Sequence, residues 1–167
     1  MKTMKTKQWV LNAIIGALYT GITLLIAPFA FGAVQFRLSE MLNHLAVFNK
    51  KYAIGVSVGV VLTNLILSPF GVYDWIFGVG HTLLSFLVFF VVTKGIKSPV
   101  KKMIINSLIF SVLSFLIAIM LLLIGAEEVF WFTYLTLFLE QLLTMGIGIP
   151  VMLYLDKKLD FNKRMEQ

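Results

Sequence analysis

An all-α integral membrane protein, folded as a six-helix bundle, is what this sequence predicts, and three observations carry that reading. First, 59% of the 167 residues are hydrophobic and only 13% are charged, with a mean hydropathy of +0.94, well outside the range of soluble globular domains. Second, every basic residue except Arg37 falls into one of four clusters: Lys2, Lys5 and Lys7; Lys50 and Lys51; Lys94, Lys97, Lys101 and Lys102; Lys157, Lys158, Lys163 and Arg164. Third, the stretches between clusters are apolar and mostly long enough to cross a bilayer.

Residues 8–27, 103–124 and 129–155 each reach the ~20 residues that a ~30 Å hydrocarbon core demands, and residues 72–93 form a further full span. Residues 52–67 are slightly short. Residues 37–49 cover only ~20 Å at ~1.5 Å per residue, so parity must decide whether they cross. Without that crossing, Lys50 and Lys51 would lie opposite the N-terminal lysines, and the cluster from Lys94 to Lys102 would follow them. Enrichment of Lys and Arg in short cytoplasmic loops therefore favours six crossings with both termini inside. The outer loops then hold Asp74, Glu127 and Glu128 and no lysine.

The first apolar run has full span length and no small-residue cleavage site before the next polar loop, so it reads as a retained span. Cysteine is absent, which removes disulfides and thiolate metal sites. Inside-loop lysines facing anionic lipid account for the net charge of +6 without invoking nucleic acid. No repeat, low-complexity tract or linker divides the chain, so residues 1–167 form one transmembrane domain. There is no phosphate-binding glycine loop ending in Lys-Ser or Lys-Thr. The chain is therefore expected not to be an enzyme, and not to hydrolyse ATP itself.

Polar residues inside the spans carry the functional reading. Counted as an α-helix, the short second segment places Arg37, Glu40 and His44 on one face. An Arg or a carboxylate at mid-bilayer costs about 2.5–3.5 kcal/mol, so the pair must face each other, water or a ligand; the alternative is Arg37 snorkelling to the interface. On the last span Thr133, Leu137, Glu140, Gln141 and Thr144 form one stripe. Glu140 is too deep to reach water by stretching, and must be paired, protonated or in a cavity. The fourth span presents Asp74, Gly78, His81 and Ser85 together. Asp74 either caps that helix or meets a ligand, and Trp75 and Tyr73 are either interfacial belt residues or stacking faces. His44 and His81 lie on different spans without metal-ligand spacing, so each reads as a ligand contact or a helix-bonding donor. Ala13, Ala17 and Gly21 make a smooth ridge suited to close approach by another helix, in this bundle or in a separate subunit.

Two segments, Val34-Gln35-Phe36-Arg37-Leu38-Ser39-Glu40 and Asn64-Leu65-Ile66-Leu67-Ser68-Pro69-Phe70-Gly71-Val72-Tyr73-Asp74, give the chain a resemblance to the QueT family. That family comprises membrane-embedded substrate-binding (S) components of energy-coupling factor (ECF) transporters. The likeness spans nearly the whole chain, with His44 and His81 departing from the family pattern. It implies a multi-pass protein of a prokaryotic plasma membrane that captures a small molecule from outside. An ECF transmembrane coupling subunit and two ATPase subunits would supply the power from ATP, and the ridge of Ala13, Ala17 and Gly21 would dock the coupling subunit. The implied substrate is a queuosine precursor, a 7-deazaguanine base such as queuine or its aminomethyl precursor.

The polar set suits such a base. One carboxylate, Glu40 or Glu140, can accept both N1–H and the exocyclic amine, while O6 needs a donor such as Arg37 or Gln141. Aromatic faces for a flat base are available from Trp75, Tyr73, Phe36 or Tyr134. The expected substrate-binding set is therefore Arg37, Glu40, His44, Asp74, Trp75, His81, Glu140 and Gln141. The rival readings are an S component for another vitamin or small heterocycle, a stand-alone secondary carrier using Glu140 as a proton-linked switch, and a metal enzyme built on His44, His81 and Glu140.

Overall fold

The computed structural model describes residues 4–27, 37–127 and 129–167. Every regular element among them is helical. Helix α1 is Thr6–Leu25. A 3-10 segment, Leu38–His44, continues directly into the short helix α2, Leu45–Phe48. Helix α3 is Tyr52–Leu67. Helix α4 runs Val72–Val92 with a π turn at Trp75–Val79, and α5 runs Pro99–Leu123 with a break at Ser114. Helix α6 is Phe130–Leu159 and α7 is Phe161–Glu166. Four of these, α1, α4, α5 and α6, are long and apolar enough to cross a membrane, while α3 is apolar but shorter.

The surface is what makes this a lipid-facing bundle. Leu25, Val91 and Trp131 are 84%, 68% and 74% exposed, and such residues recur along every long helix, an apolar surface rare on soluble monomers. The interior, in turn, holds buried amides and hydroxyls: Asn12, Asn43, Asn64, Asn106 and Ser111. Without a hydrophobic drive between helices in lipid, close packing of small residues and bonds between such groups hold the bundle together.

The tightest pair is α1 against α3. A Cβ added at Gly59 would lie 2.6 Å from the Tyr19 Cβ, so only glycine lets the two backbones approach this closely. Asn12 ties the seam, its Oδ1 accepting from the Gly55 amide at 2.7 Å while its own Nδ2 donates to the Gln8 carbonyl at 2.9 Å. Helix α6 likewise passes the 3-10 segment at Gly148, where a Cβ would meet the Met41 Cβ at 2.7 Å. Ala13 and Ala17 are exposed on the opposite side of α1, and nothing lies within 4 Å of a Cβ built at Gly21. The predicted ridge therefore faces out of the bundle, and it is Gly16, Gly55 and Gly59 that serve the internal seam.

The basic end is tied down by α7. Gln8 Nε2 donates to the Met165 carbonyl at 2.7 Å, and the Tyr52 hydroxyl to the Phe161 carbonyl at 2.9 Å. Asn49 Nδ2 donates to Glu166 Oε1 at 2.7 Å, and Lys51 Nζ reaches the same oxygen at 3.5 Å. Lys5 Nζ donates to the Gln167 carbonyl at 3.3 Å. Lys50, Lys51, Lys94 and Lys102 line one groove with Glu166. Residues from all four basic clusters thus collect at one end.

Candidate functional site

A cavity opens where the 3-10 segment, the start of α4, the break in α5 and the middle of α6 face one another. Its wall carries Arg37 and Glu40 from the first, Gly78, His81 and Thr82 from α4, Ser114 and Ile117 from α5, and Leu137, Glu140, Gln141 and Thr144 from α6. The stripe read on the last span thus contributes four of its residues to one chamber. The enclosed room is about 30 Å³, space for about two waters, and the free space including the mouth is about 490 Å³.

Glu40 is held from several sides. Its Oε1 accepts from the Tyr19 hydroxyl at 2.5 Å, and its Oε2 accepts from Asn43 Nδ2 at 2.5 Å and Gln141 Nε2 at 3.4 Å. Three of the roughly four acceptor sites of a carboxylate are therefore engaged by protein donors. Buried carboxylates need this kind of satisfaction, and Glu40 is only 5% exposed. Arg37 stands at the head of the same segment as its N-cap residue. The hydroxyls of Ser39 and Thr23, 2.6 Å apart, bind this end of the segment to α1.

The face expected of Arg37, Glu40 and His44 is changed by the helix type. In a 3-10 helix, with three residues per turn, positions three apart eclipse. Asn43, not His44, therefore stacks below Glu40 and bonds to it. His44 turns about a third of a revolution away, where Nε2 donates to the Met145 carbonyl at 2.9 Å and Nδ1 faces Asn106 Nδ2 at 3.5 Å. It bonds the segment to α6 and α5 and is absent from the cavity wall.

Asp74 is fully buried but also off the wall. Its Oδ2 accepts from the Ser68 hydroxyl, which in turn accepts from the Phe70 amide at 2.9 Å, so the side chain fastens the turn into α4. Asn64 Nδ2 donates to the Asp74 carbonyl at 2.9 Å. Trp75 and Tyr73, 45% and 49% exposed, are directed outwards, as interfacial aromatics are. The Tyr134 hydroxyl donates to the Val112 carbonyl at 3.1 Å, and Phe36 lies outside the described residues. The stacking faces anticipated from Trp75, Tyr73 and Tyr134 are thus not on the wall, which carries His81, Ile117 and Leu137 instead. His81 combines two positions: its Nε2 donates to the Phe110 carbonyl at 2.9 Å, bonding α4 to α5, and its ring also lines the cavity. A backbone carbonyl only accepts, so Nε2 carries a proton, and in the neutral ring Nδ1 is then the acceptor. No grouping of three or more His, Asp or Glu able to hold a metal occurs among the described residues.

Tyr19 and Asn43 were not singled out from sequence. Tyr19 does sit on a polar stripe, with Gln8, Asn12 and Thr23, that marks the inner face of α1.

Comparison with known proteins agrees with this architecture. The model of the QueT transporter family matches residues 9–157. The queuosine precursor transporter QueT of Lactococcus lactis subsp. cremoris (strain MG1363) is 33% identical over 172 aligned residues, covering 98% of this chain and 100% of that protein. No solved structure matches the chain. A family match over nearly the whole length, on apolar helices around an enclosed polar chamber, places this chain in the QueT transporter family, as a multi-pass protein of the cell membrane.

Proposed function

We propose that this chain is the substrate-capturing S component of an ECF-type importer, and that it binds a queuosine precursor, a 7-deazaguanine base, in the chamber between the 3-10 segment, α4, α5 and α6. The observation that carries the reading is the chemistry of the wall. A deazaguanine offers two adjacent donors and a carbonyl; the wall offers the carboxylate of Glu140, the guanidinium of Arg37, the amide of Gln141 and the hydroxyls of Thr82, Ser114 and Thr144. In this proposal Glu40, bonded by Tyr19, Asn43 and Gln141, braces the 3-10 segment, and Glu140 on the same wall accepts N1–H and the exocyclic amine. Arg37 donates to O6. His81 Nδ1 is available to a ring N–H. His44, Asp74 and Trp75 act from outside the chamber, by fixing the segment, the turn and the membrane interface.

Six crossings with both termini cytoplasmic are part of the same proposal. Collection of the basic clusters at one end supports it. So does the course of residues 38–48, from the Thr23 contact at the far end of α1 to the Phe161 contact beside the basic end. At ~2.0 Å per residue the 3-10 turns reach farther than α-helix would. The exposed ridge of Ala13, Ala17 and Gly21 would take a transmembrane coupling subunit, with two cytosolic ATPase subunits using ATP.

The enclosed room, about 30 Å³, is far below the ~300 Å³ and more of small-molecule sites, so a base enters only if the chamber widens. Calorimetry on the purified protein with queuine, its aminomethyl precursor and guanine tests the proposal. Tight binding of a deazapurine without ATP is expected, with loss in Arg37→Ala while circular dichroism keeps the helical signal. Failure to bind any deazapurine removes the substrate, and unaltered affinity in Arg37→Ala removes the site.

A further inference from the structure

At the basic end, a second feature stands apart from the chamber. Lys50, Lys51, Lys94 and Lys102 line a groove of about 470 Å³ whose apolar floor is Phe89 and Phe90. Glu166 lines the same groove and holds Lys51 Nζ at 3.5 Å, so four cations face one carboxylate. Phe90 also ends a separate trench of about 570 Å³ between α3 and α4. That trench runs from Ala53 to Leu62 on one helix and from Val79 to Phe90 on the other, and among the described residues Ser57 is its sole polar one. At ~1.5 Å per residue it extends roughly 14–16 Å, about half of a ~30 Å hydrocarbon core and hence the depth of one leaflet.

A cationic groove that opens into an apolar trench one leaflet deep matches a molecule with a phosphate at one end and acyl chains at the other. We propose that this surface is a binding site for an anionic diacyl phospholipid, its phosphate among Lys50, Lys94 and Lys102 and one acyl chain along the trench between α3 and α4. An acidic protein segment would satisfy the lysines but leave the trench without an occupant. A zwitterionic lipid would fill the trench but bring no net charge to the lysines. The two features share Phe90, so one molecule can occupy both. The inference does not rest on the substrate reading, because among the described residues neither cavity shares one with the chamber.

Native mass spectrometry of the detergent-purified full chain tests it, with phosphatidylglycerol and phosphatidylcholine of identical chains as probes. Phosphatidylglycerol should be retained preferentially. Each lysine near a lipid phosphate changes affinity by about fivefold, so Lys94→Gln with Lys102→Gln should weaken its retention about 25-fold. Lys157→Gln with Lys158→Gln removes the same charge away from the groove and should leave retention unchanged. Ser57→Trp, which fills the trench, should weaken retention with all lysines present. Thermal unfolding matched to the parent shows that each variant is folded. Equal retention of the two lipids, equal losses in the two lysine pairs, or displacement of the lipid by inorganic phosphate at matched concentration would each overturn the proposal. Unchanged lipid retention in the Lys94 and Lys102 variant together with lost binding of the ATPase subunits would assign the groove to a protein partner instead.

Discussion

If Glu140 reads the paired donors of the base, removing one of those donors must cost affinity only while the carboxylate is present. The perturbation is therefore twofold: Glu140→Gln in the protein, and 7-deazahypoxanthine, which lacks the exocyclic amine, in place of 7-deazaguanine. In the parent protein the missing amine leaves one carboxylate oxygen facing a C–H. A hydrogen bond to a charged group contributes about 1.5–3 kcal/mol, so the amine-free base should bind about 10- to 150-fold more weakly. In Glu140→Gln the amide keeps one acceptor for N1–H but turns its NH2 towards the exocyclic amine, donor against donor. Deazaguanine should then bind about 100-fold more weakly or worse, and the ratio between the two bases should fall to about one or invert. Glu40→Gln is the control, because Tyr19, Asn43 and Gln141 already occupy that carboxylate. It should lower stability by about 1–3 kcal/mol, because a neutral amide replaces the charge-assisted bonds from Tyr19 and Asn43 and accepts at one end only, yet preserve the selectivity ratio. Calorimetric titration of both bases into all three proteins gives six affinities. A parent-like ratio in Glu140→Gln, or a ratio lost in Glu40→Gln, refutes the division of roles.

Three further outcomes follow from the packing. Gly148→Val should destabilise the bundle by about 1–3 kcal/mol through overpacking and weaken substrate binding, because it presses on Met41 within the segment that carries Arg37 and Glu40; unchanged thermal unfolding would contradict the close approach. Ala13→Trp with Ala17→Trp should leave substrate binding intact and stop uptake in cells containing the coupling and ATPase subunits, since both positions face away from the chamber; loss of binding would place the ridge inside the bundle. The Asn49 hydrogen bond, then the Lys51 charge, hold the Glu166 carboxyl below its ordinary value of 4.5, so its stabilising contribution is present above that value and fades as pH falls through the lowered one. Amide exchange in α7, corrected for intrinsic rates, should accelerate in that acid window, and Asn49→Ala should flatten the dependence; acceleration of the same size in the variant would remove Glu166 as the cause.

Hydropathy and lysine placement made the membrane class legible, because a bilayer imposes a length and a charge asymmetry that any sequence must display. The α6 wall was legible for a related reason. Leu137, Glu140, Gln141 and Thr144 lie on a regular helix, where a spacing of three or four residues fixes the face, and all four line the chamber. Tyr19 was less legible because a phenol within an apolar span looks like packing, yet its register with Gln8, Asn12 and Thr23 marks the inner face. The small residues at 13, 17 and 21 form the more conspicuous pattern, and they lie on the outer face. Asp74 and Trp75 carry a different lesson: proximity to the chamber in chain order says nothing of direction, and the turn at Ser68 directs one side chain into a hydrogen-bonded knot and leaves the other at the surface.

The second segment shows most clearly where sequence patterns stop. Offsets of three and seven from Arg37 describe an α-helical face, while offsets of three and six describe a 3-10 face, and the sequence supplies a polar residue for both: His44 for the first, Asn43 for the second. Eleven residues, 38–48, must carry Arg37 and Glu40 to the chamber and still deliver Asn49 to the basic end. Drawing seven of them out as 3-10 helix gains roughly 0.5 Å per residue over α-helix, and it is this extension that turns Asn43 onto Glu40 and sends His44 to the Met145 carbonyl. Depth demanded of a short segment selects the helix type, and the helix type selects which of two adjacent polar side chains joins the site.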